Sequence, residues 1–435
     1  MKLFTFKGGV HPPEKKLTQS EEIKEAPLPE KVIVFMLQHA GSPAKPIVEV
    51  GQQVKTGQVI GEPQGVISAY VHSPVTGKVT NISKVNSSVH GMAVEAVTIE
   101  KTASDDWELL PKIDYLSASK EELIEIIRKA GVVGLGGAMF PTHIKLNPPK
   151  PVNTLIINGA ECEPYLTIDH RVMIEMHEEI LLGIQITQKI LGVKDVYIGI
   201  ESNKKDCIEL LEKKWSGKVK VVGLKTKYPQ GAEKQLIKAI IGKEVPSGGL
   251  PSDIGVVVQN VSTMVAIKRA VIDRKPLIER GLTLTGEGIK RPGNWWVRIG
   301  APISWVINEL GGGFSEDFDE VKVLMGGPMM GIPVSSLDTP ILKGNNGITV
   351  IREQERESTN CIRCSYCVHV CPMNLQPYLL DMLSRKKKYD EAAEIGLLDC
   401  IECGSCTYIC PANVEHVKSI KLAKKVYRAL RGGKK

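Results

Sequence analysis

Eight of the ten cysteines lie between residues 361 and 410, in two copies of one spacing. The first run is Cys361-x2-Cys364-x2-Cys367-x3-Cys371-Pro372, and the second is Cys400-x2-Cys403-x2-Cys406-x3-Cys410-Pro411. Thiolate is a soft, anionic ligand, and a run closing on Cys-Pro is the ligand pattern of a pair of [4Fe–4S] clusters. In that pattern the fourth cysteine of each run binds the other cluster. Cys361, Cys364, Cys367 and Cys410 are therefore expected to hold one cluster, and Cys400, Cys403, Cys406 and Cys371 the other. Two residues between cysteines allow a tight turn whose N–H groups also reach the cluster sulfurs. Pro372 and Pro411 stop any local helix. A disulfide framework fits poorly with a chain that shows no signal peptide. Paired zinc ribbons would leave the third cysteine and the Cys-Pro unexplained. The chemistry implied is transfer of single electrons. Cys162 and Cys207 stand alone, and Cys207 reads as a buried helix residue.

A second set of residues has chemical potential. Gly134-Leu-Gly136-Gly137-Ala-Met-Phe140-Pro141 brings backbone N–H groups together without side-chain obstruction, as phosphate binding requires. A glycine turn capping the helix that ends near Ala130 is the competing reading. Lys145 follows, then an apolar strand Thr154–Ile157, then Asn158-Gly-Ala-Glu161-Cys-Glu163-Pro164. Acidic groups at the carboxyl end of a strand sit where α/β sheets bind ligands. Without the glycine loop they would read as surface acids.

The elements that position these groups follow from pattern. Residues 1–30 are rich in Pro and Lys and read as an extended arm. Residues 31–105 alternate short strands with glycine turns and resemble a biotinyl/lipoyl-type barrel-sandwich domain. No lysine stands at Gln64-Gly-Val-Ile-Ser-Ala, where a carrier would bear one, so a structural role is expected. Residues 106–275 alternate helices and apolar strands, a Rossmann-like α/β pattern. Strands are expected at Thr154–Ile157, Val196–Ile200, Val219–Val222 and Gly255–Val258, with helices near 170–192 and 204–215. Ser119-Lys-Glu-Glu122 is a capping box that opens a helix with Leu123, Ile126 and Ile127 on one face. Residues 276–345 read as a β-grasp module of the soluble-ligand-binding type. Residues 346–435 read as an α-helical ferredoxin domain. The fold class expected is multidomain α/β.

Charge is concentrated at one end. The net charge is +7, and Pro411 to Lys435 alone carry eight lysines and arginines against Glu415. Val414, Val417, Ile420, Ala423, Tyr427 and Leu430 recur at helical steps, giving an amphipathic helix with a basic face. A solvated face is the plain reading, and a dock for an acidic redox partner or anionic lipid is the functional one. No aromatic-basic pattern points to nucleic acid. No apolar run is long enough to span a bilayer, and the first residues lack a signal-peptide core, so a cytosolic chain, peripheral to a membrane, is expected.

Gly134-Leu-Gly-Gly-Ala-Met-Phe-Pro-Thr-His-Ile-Lys145, with Asn158-Gly-Ala-Glu-Cys-Glu-Pro-Tyr-Leu-Thr-Ile-Asp169-His-Arg171, resembles the flavin-bearing, NADH-binding subunit of respiratory complex I. With the Gly8-Gly-Val-His-Pro-Pro arm, the barrel-sandwich segment and the doubled cysteine run, the chain is more similar still to the C subunits of Rnf-type ferredoxin–NAD electron-transport complexes. The resemblance implies noncovalent FMN held by Gly134, Gly136, Gly137, Lys145, Asn158, Glu161, Tyr228 and Asn260. It implies an NAD(H) site at Phe140, Glu163 and Glu233. It also implies a peripheral subunit on the cytoplasmic face of a membrane ion-translocating complex, partnered by a ferredoxin-like iron–sulfur subunit and carrying electrons between the clusters and NAD through FMN. No side chain acts as a nucleophile in that chemistry. Two positions depart from complex I: Ala232-Glu233 replaces an acidic pair, and Tyr165 replaces a glycine. The alternatives are a soluble cobalamin-reducing flavoprotein of bacterial microcompartments and a cluster relay without an active nucleotide site.

Overall fold

The computed structural model describes residues 2–317, 320–353 and 357–432. Lys434 and Lys435 of the basic tail lie outside them. A four-stranded parallel sheet sits at the centre, in the order Lys220–Leu224, Asp195–Glu201, Thr154–Gly159, Val256–Asn260. Thr154–Gly159 and Val256–Asn260 are almost wholly buried, as expected for a sheet covered on both faces. The first strand in sequence is followed on one side by two more, and the last strand joins its other side. The chain therefore reverses its direction of winding between Thr154–Gly159 and Val256–Asn260. A crevice opens at the carboxyl ends of two strands related in this way.

The helices around the sheet follow local chemistry. Ser119 caps Lys120–Lys129 with a reciprocal Glu122 bond, and Leu123, Ile126 and Ile127 are buried. The single helix expected near 170–192 is two, Ile168–Glu175 and His177–Leu191, because Met176 leaves helical dihedrals. The break lets the first helix pack on a neighbouring sheet and the second on Val261–Val271. That second contact is close: a Cβ on Gly183 would lie 2.1 Å from the Met264 carbonyl oxygen.

A six-stranded sheet runs in the order Ile23–Glu25, Gly293–Arg298, Glu279–Thr285, Gly347–Arg352, Val321–Met325, Ile332–Pro333. Two of its strands refine the sequence boundaries. Ile23–Glu25 comes from the arm and pairs in parallel with Gly293–Arg298. Gly347–Arg352 lies past residue 345, yet it sits inside the sheet, hydrogen-bonded on both edges. The segment after residue 30 forms two smaller antiparallel sheets around their own core of Val32, Val34, Ile60, Val79, Val97 and Ile99.

The C-terminal part is helical: Tyr366–Val370, Pro377–Arg385, Tyr389–Glu394, Ser405–Tyr408 and His416–Gly432. It packs about Leu380, Leu383, Leu397, Ile420 and Ala423. The last helix departs from its expected faces at two places. Leu430 is exposed. Lys424 is buried, where it pairs with Glu402 at 2.6 Å and donates to the Cys400 carbonyl at 2.7 Å. Its charge is spent on the cysteine run and not presented to solvent. Among the described residues no helix is long and apolar enough to cross a membrane.

Alanine normally stabilises a helix interior over glycine by about 1 kcal/mol. At Gly183 the sign should reverse. Gly183→Ala is expected to cost roughly 1–3 kcal/mol through overpacking, read as a lower Tm in thermal unfolding. A Tm at or above that of the parent chain would refute the close helix contact.

Candidate cofactor sites

The glycine loop closes on itself at the mouth of the crevice. Gly134 N–H donates to the Phe140 carbonyl at 2.8 Å, and Met139 N–H donates to that of Gly134 at 3.2 Å. Between them Gly136 and Gly137 are exposed. Gly137 has φ +101°, a conformation that side chains rarely adopt. A Cβ on Gly136 would sit in ordinary contact with Asn260, at 3.4 Å, so the loop lies against the strand end.

Asn260 ends its strand and caps helix Val261–Val271 by accepting from Ser262 N–H at 2.9 Å. Its Nδ2 donates to Asp169 at 2.7 Å, and Ser262 Oγ donates to the other Asp169 oxygen at 2.7 Å. Glu161 accepts from Asp169 N–H at 2.6 Å and from His170 N–H at 3.3 Å. Asn158 donates to the Gly231 carbonyl at 2.7 Å. Lys145 pairs with Glu233 at 2.6 Å. Five of the residues proposed for flavin (Gly136, Gly137, Asn158, Glu161 and Asn260) thus gather around two strand ends. Lys145 reaches them through the segment that begins at Tyr228. An open glycine cradle beside a helix N-terminus fits an anionic, planar group such as FMN.

The other proposed residues are engaged elsewhere. Glu163 accepts from the N–H groups of Met329 and Met330, at 3.1 and 2.7 Å, and so ties the acidic loop to the six-stranded sheet. Burial raises its carboxyl to about 7 and that of Glu161 to about 6. Phe140 is half-buried and offers its carbonyl to the loop. Tyr228 is buried, and its hydroxyl donates to the Cys403 carbonyl at 2.6 Å. Tyr165, where complex I has glycine, holds φ +69° and donates to Glu287 at 2.7 Å. The positive φ explains why glycine serves at that position.

Sequence patterns alone did not reveal Asp169 as a hub, or Lys16 at all. Lys16 Nζ donates to the carbonyls of Glu161, Glu163 and Leu166 at 2.9, 2.8 and 2.7 Å. All three partners lie about 150 positions away in the chain, so no local pattern marks it. Asp169 stood out only as part of the longer motif that begins at Asn158. Cys207 is buried in its helix, and burial pushes its thiol up to about 12. Cys162 accepts from Gly231 N–H at 3.2 Å.

The cysteine runs form two cavities. Cys361, Cys364, Cys367 and Cys410 line one, with Tyr378 and His416. Cys371, Cys400, Cys403 and Cys406 line the other. These are the crossed sets that the spacing implies. Among the described residues no three such side chains converge on a single ion. A cubane cluster fits instead, because its four irons take thiolates set further apart. The two runs also share their strained positions. Arg363 and Glu402 have positive φ before the second cysteine, Ser365 and Gly404 after it, and Asn374 and Asn413 after the Cys-Pro. Left-handed backbone at a non-glycine residue costs roughly 1–2 kcal/mol, so its recurrence marks a turn that the thiol geometry demands. The second set lies against both large sheets: Tyr228, in the loop after strand Lys220–Leu224, bonds Cys403, and a Cβ on Gly404 would lie 3.0 Å from the carbonyl of Met329 in a turn of the six-stranded sheet. In the first set Cys361 and Cys364 are exposed.

Comparison with known proteins matches each module. The Nuo51 FMN-binding domain matches residues 127–269, the RnfC barrel sandwich hybrid domain 4–104, the SLBB domain 282–333 and the 4Fe-4S dicluster domain 360–414. The C subunit of the proton-translocating ferredoxin:NAD(+) oxidoreductase complex of Clostridium ljungdahlii is 47% identical over 91% of this chain and 88% of its own length. The C subunit of the Na(+)-translocating ferredoxin:NAD(+) oxidoreductase complex of Acetobacterium woodii is 44% identical over 97% and 96%. The C subunit of the ion-translocating oxidoreductase complex of Rhodobacter capsulatus is 42% identical over 91% and 78%. A crystal structure of an NAD+-reducing [NiFe]-hydrogenase in the H2-reduced state shares the fold at TM-score 0.51 and 17% identity, over 73% of this chain and 62% of that one. The chain belongs to the family of C subunits of ion-translocating ferredoxin:NAD(+) oxidoreductase complexes, the Rnf family.

Proposed function

We propose that this chain is the NAD(H)-facing electron-transfer subunit of a membrane ion-translocating ferredoxin:NAD oxidoreductase, passing electrons between two [4Fe–4S] clusters and NAD by way of FMN. The observation that carries the reading is the bond from Tyr228 to the Cys403 carbonyl, which joins the glycine-loop crevice to one cysteine cavity. FMN, when bound, supplies the exchange between a two-electron hydride and single electrons. The residues of this chain bind and orient. Gly134, Gly136, Gly137, Lys145, Asn158, Glu161, Tyr228 and Asn260 form the flavin side. Phe140, Glu163 and Glu233 form the nicotinamide side. Cys361, Cys364, Cys367 and Cys410 hold one cluster; Cys371, Cys400, Cys403 and Cys406 hold the other, nearer the flavin. The parallel sheet is a Rossmann-like core, and the six-stranded sheet is a β-grasp module built on residues 276–345 and completed by Ile23–Glu25 and Gly347–Arg352. The chain sits at the cytoplasmic face of the membrane against the other subunits, one of them a ferredoxin-like iron–sulfur protein.

The reading predicts that the anaerobically purified, FMN-loaded chain reduces an artificial acceptor with NADH. Stripping FMN should abolish that activity and adding it back should restore it. Inactivity with flavin and iron both present would favour a relay or cobalamin-reductase role.

Crossed ligation predicts a pattern in double variants. Cys410→Ser should drop iron from about eight to about four atoms per chain. Adding Cys361→Ser should remove no more, whereas adding Cys406→Ser should remove nearly all. The reverse pattern, by iron analysis and EPR, would show uncrossed clusters. Separately, Glu163→Gln should raise the KM for NADH about tenfold, with flavin and iron retained. Loss of either cofactor in that variant would remove Glu163 from the nucleotide site.

A further inference from the structure

Arg280 lies on strand Glu279–Thr285, outside the stretch matched by the FMN-binding family. It is fully buried. Its Nη2 donates to the Leu135 carbonyl at 2.7 Å, while its Nε and Nη1 have no hydrogen-bond partner among the described residues. Burial lowers its pKa to about 10, with the Asp169 and Glu161 carboxylates working against that shift, so it stays charged at neutral pH. A buried guanidinium with open donors is costly, and an apolar side chain of similar volume often stabilises a fold more. Fold stability alone does not account for it.

What Arg280 holds is the centre of the glycine loop. Leu135 N–H donates to Thr263 Oγ1 at 3.0 Å, its carbonyl accepts from Arg280, and its side chain is buried. Both peptide planes of Leu135 are fixed, one by helix Val261–Val271 and one by the six-stranded sheet. Beyond it, the N–H groups of Gly136, Gly137 and Ala138 serve no backbone bond among the described residues, and all three residues are exposed. Unused loop amides, a helix N-terminus capped by Asn260 and a buried positive charge thus meet at one place. Each of the three attracts an anion.

We propose that Arg280 is a positioning residue for the phosphate of FMN: it pins the Leu135 peptide so that the free amides of residues 136–138 face that phosphate, and it lends the loop positive charge. This inference rests on the FMN reading above. Riboflavin, which lacks the phosphate, separates this role from a merely structural one. The test uses the full chain, anaerobically purified with its clusters and stripped of flavin. FMN and riboflavin are titrated separately into the parent chain and into Arg280→Met, Arg280→Lys and Thr263→Val. Arg280→Met should weaken FMN about tenfold or more and riboflavin by less than about twofold. Arg280→Lys should recover part of the loss, and Thr263→Val should weaken FMN severalfold. Unchanged FMN affinity in an iron-replete Arg280→Met chain, or equal losses for both flavins, overturns the proposal. If Arg280→Met does not fold, unchanged FMN affinity in both Arg280→Lys and Thr263→Val overturns it. A parent chain that binds neither flavin overturns the FMN reading and this inference with it, an outcome distinct from failure at Arg280 alone.

Discussion

Where the modules meet, loop carbonyls lie beyond the reach of any helix or sheet, and buried or half-buried lysines satisfy them. Lys16 reaches three carbonyls of the acidic loop. Lys227 takes those of Phe6 and Gly8 in the arm. Lys343 spans Tyr70 and Gly131, joining the small sheets to the segment before the glycine loop. Lys424 takes that of Cys400. An ammonium has three donors and no acceptor, so one side chain closes several open carbonyls at once. Desolvation opposes this and pushes Lys343 down to about 7 and Lys227 to about 8. Each of the four lysines holds a loop next to a cofactor site or a cysteine run.

The arm gains its place from the same constraint. It runs between the central sheet and the cysteine runs, with Phe4 bridged to Leu224 and Val10 to Tyr228. Gly9 N–H donates to the Val370 carbonyl at 2.8 Å, and a Cβ on Gly8 would lie 3.0 Å from that of Cys371. A buried polar network of Thr18, Thr167, Thr283 and Asn294 then locks the arm to the acidic loop and the six-stranded sheet. Buried networks of this kind specify one arrangement when every member is satisfied. The crevice is therefore assembled from four modules, and its rigidity comes from the joints between them.

Tyr228 shows how a single side chain joins two parts of the fold. It belongs to the segment that carries Gly231 and Glu233 beside the strand ends, and its hydroxyl ends on the Cys403 carbonyl. Val10, Tyr228 and Cys403 pack as one small apolar cluster, with Cys162 and Met329 against it. An apolar contact of this kind keeps the local dielectric low and holds the cysteine run at a fixed distance from the segment carrying Gly231 and Glu233.

Much of this was legible in the chain. The cysteine spacing determines both the crossed thiol sets and their turns, because ligand geometry is local and periodic. The capping box at Ser119 and the buried strand at Thr154 are legible for the same reason: neighbours in sequence decide them. The break at Met176, the inclusion of Gly347–Arg352 in the six-stranded sheet and the burial of Lys424 were not legible, since each depends on partners far along the chain. Lys16 and Arg280 are the clearest cases. One is a lysine in a Lys-rich arm and the other an arginine in a strand, and nothing local separates them from solvated surface residues. Sequence alone determined the iron–sulfur chemistry, through ligand type and spacing, and reached flavin and nicotinamide only through a family resemblance. Only the tertiary structure decided which charges are buried, because burial is set by the packing of modules that the chain brings together from its whole length.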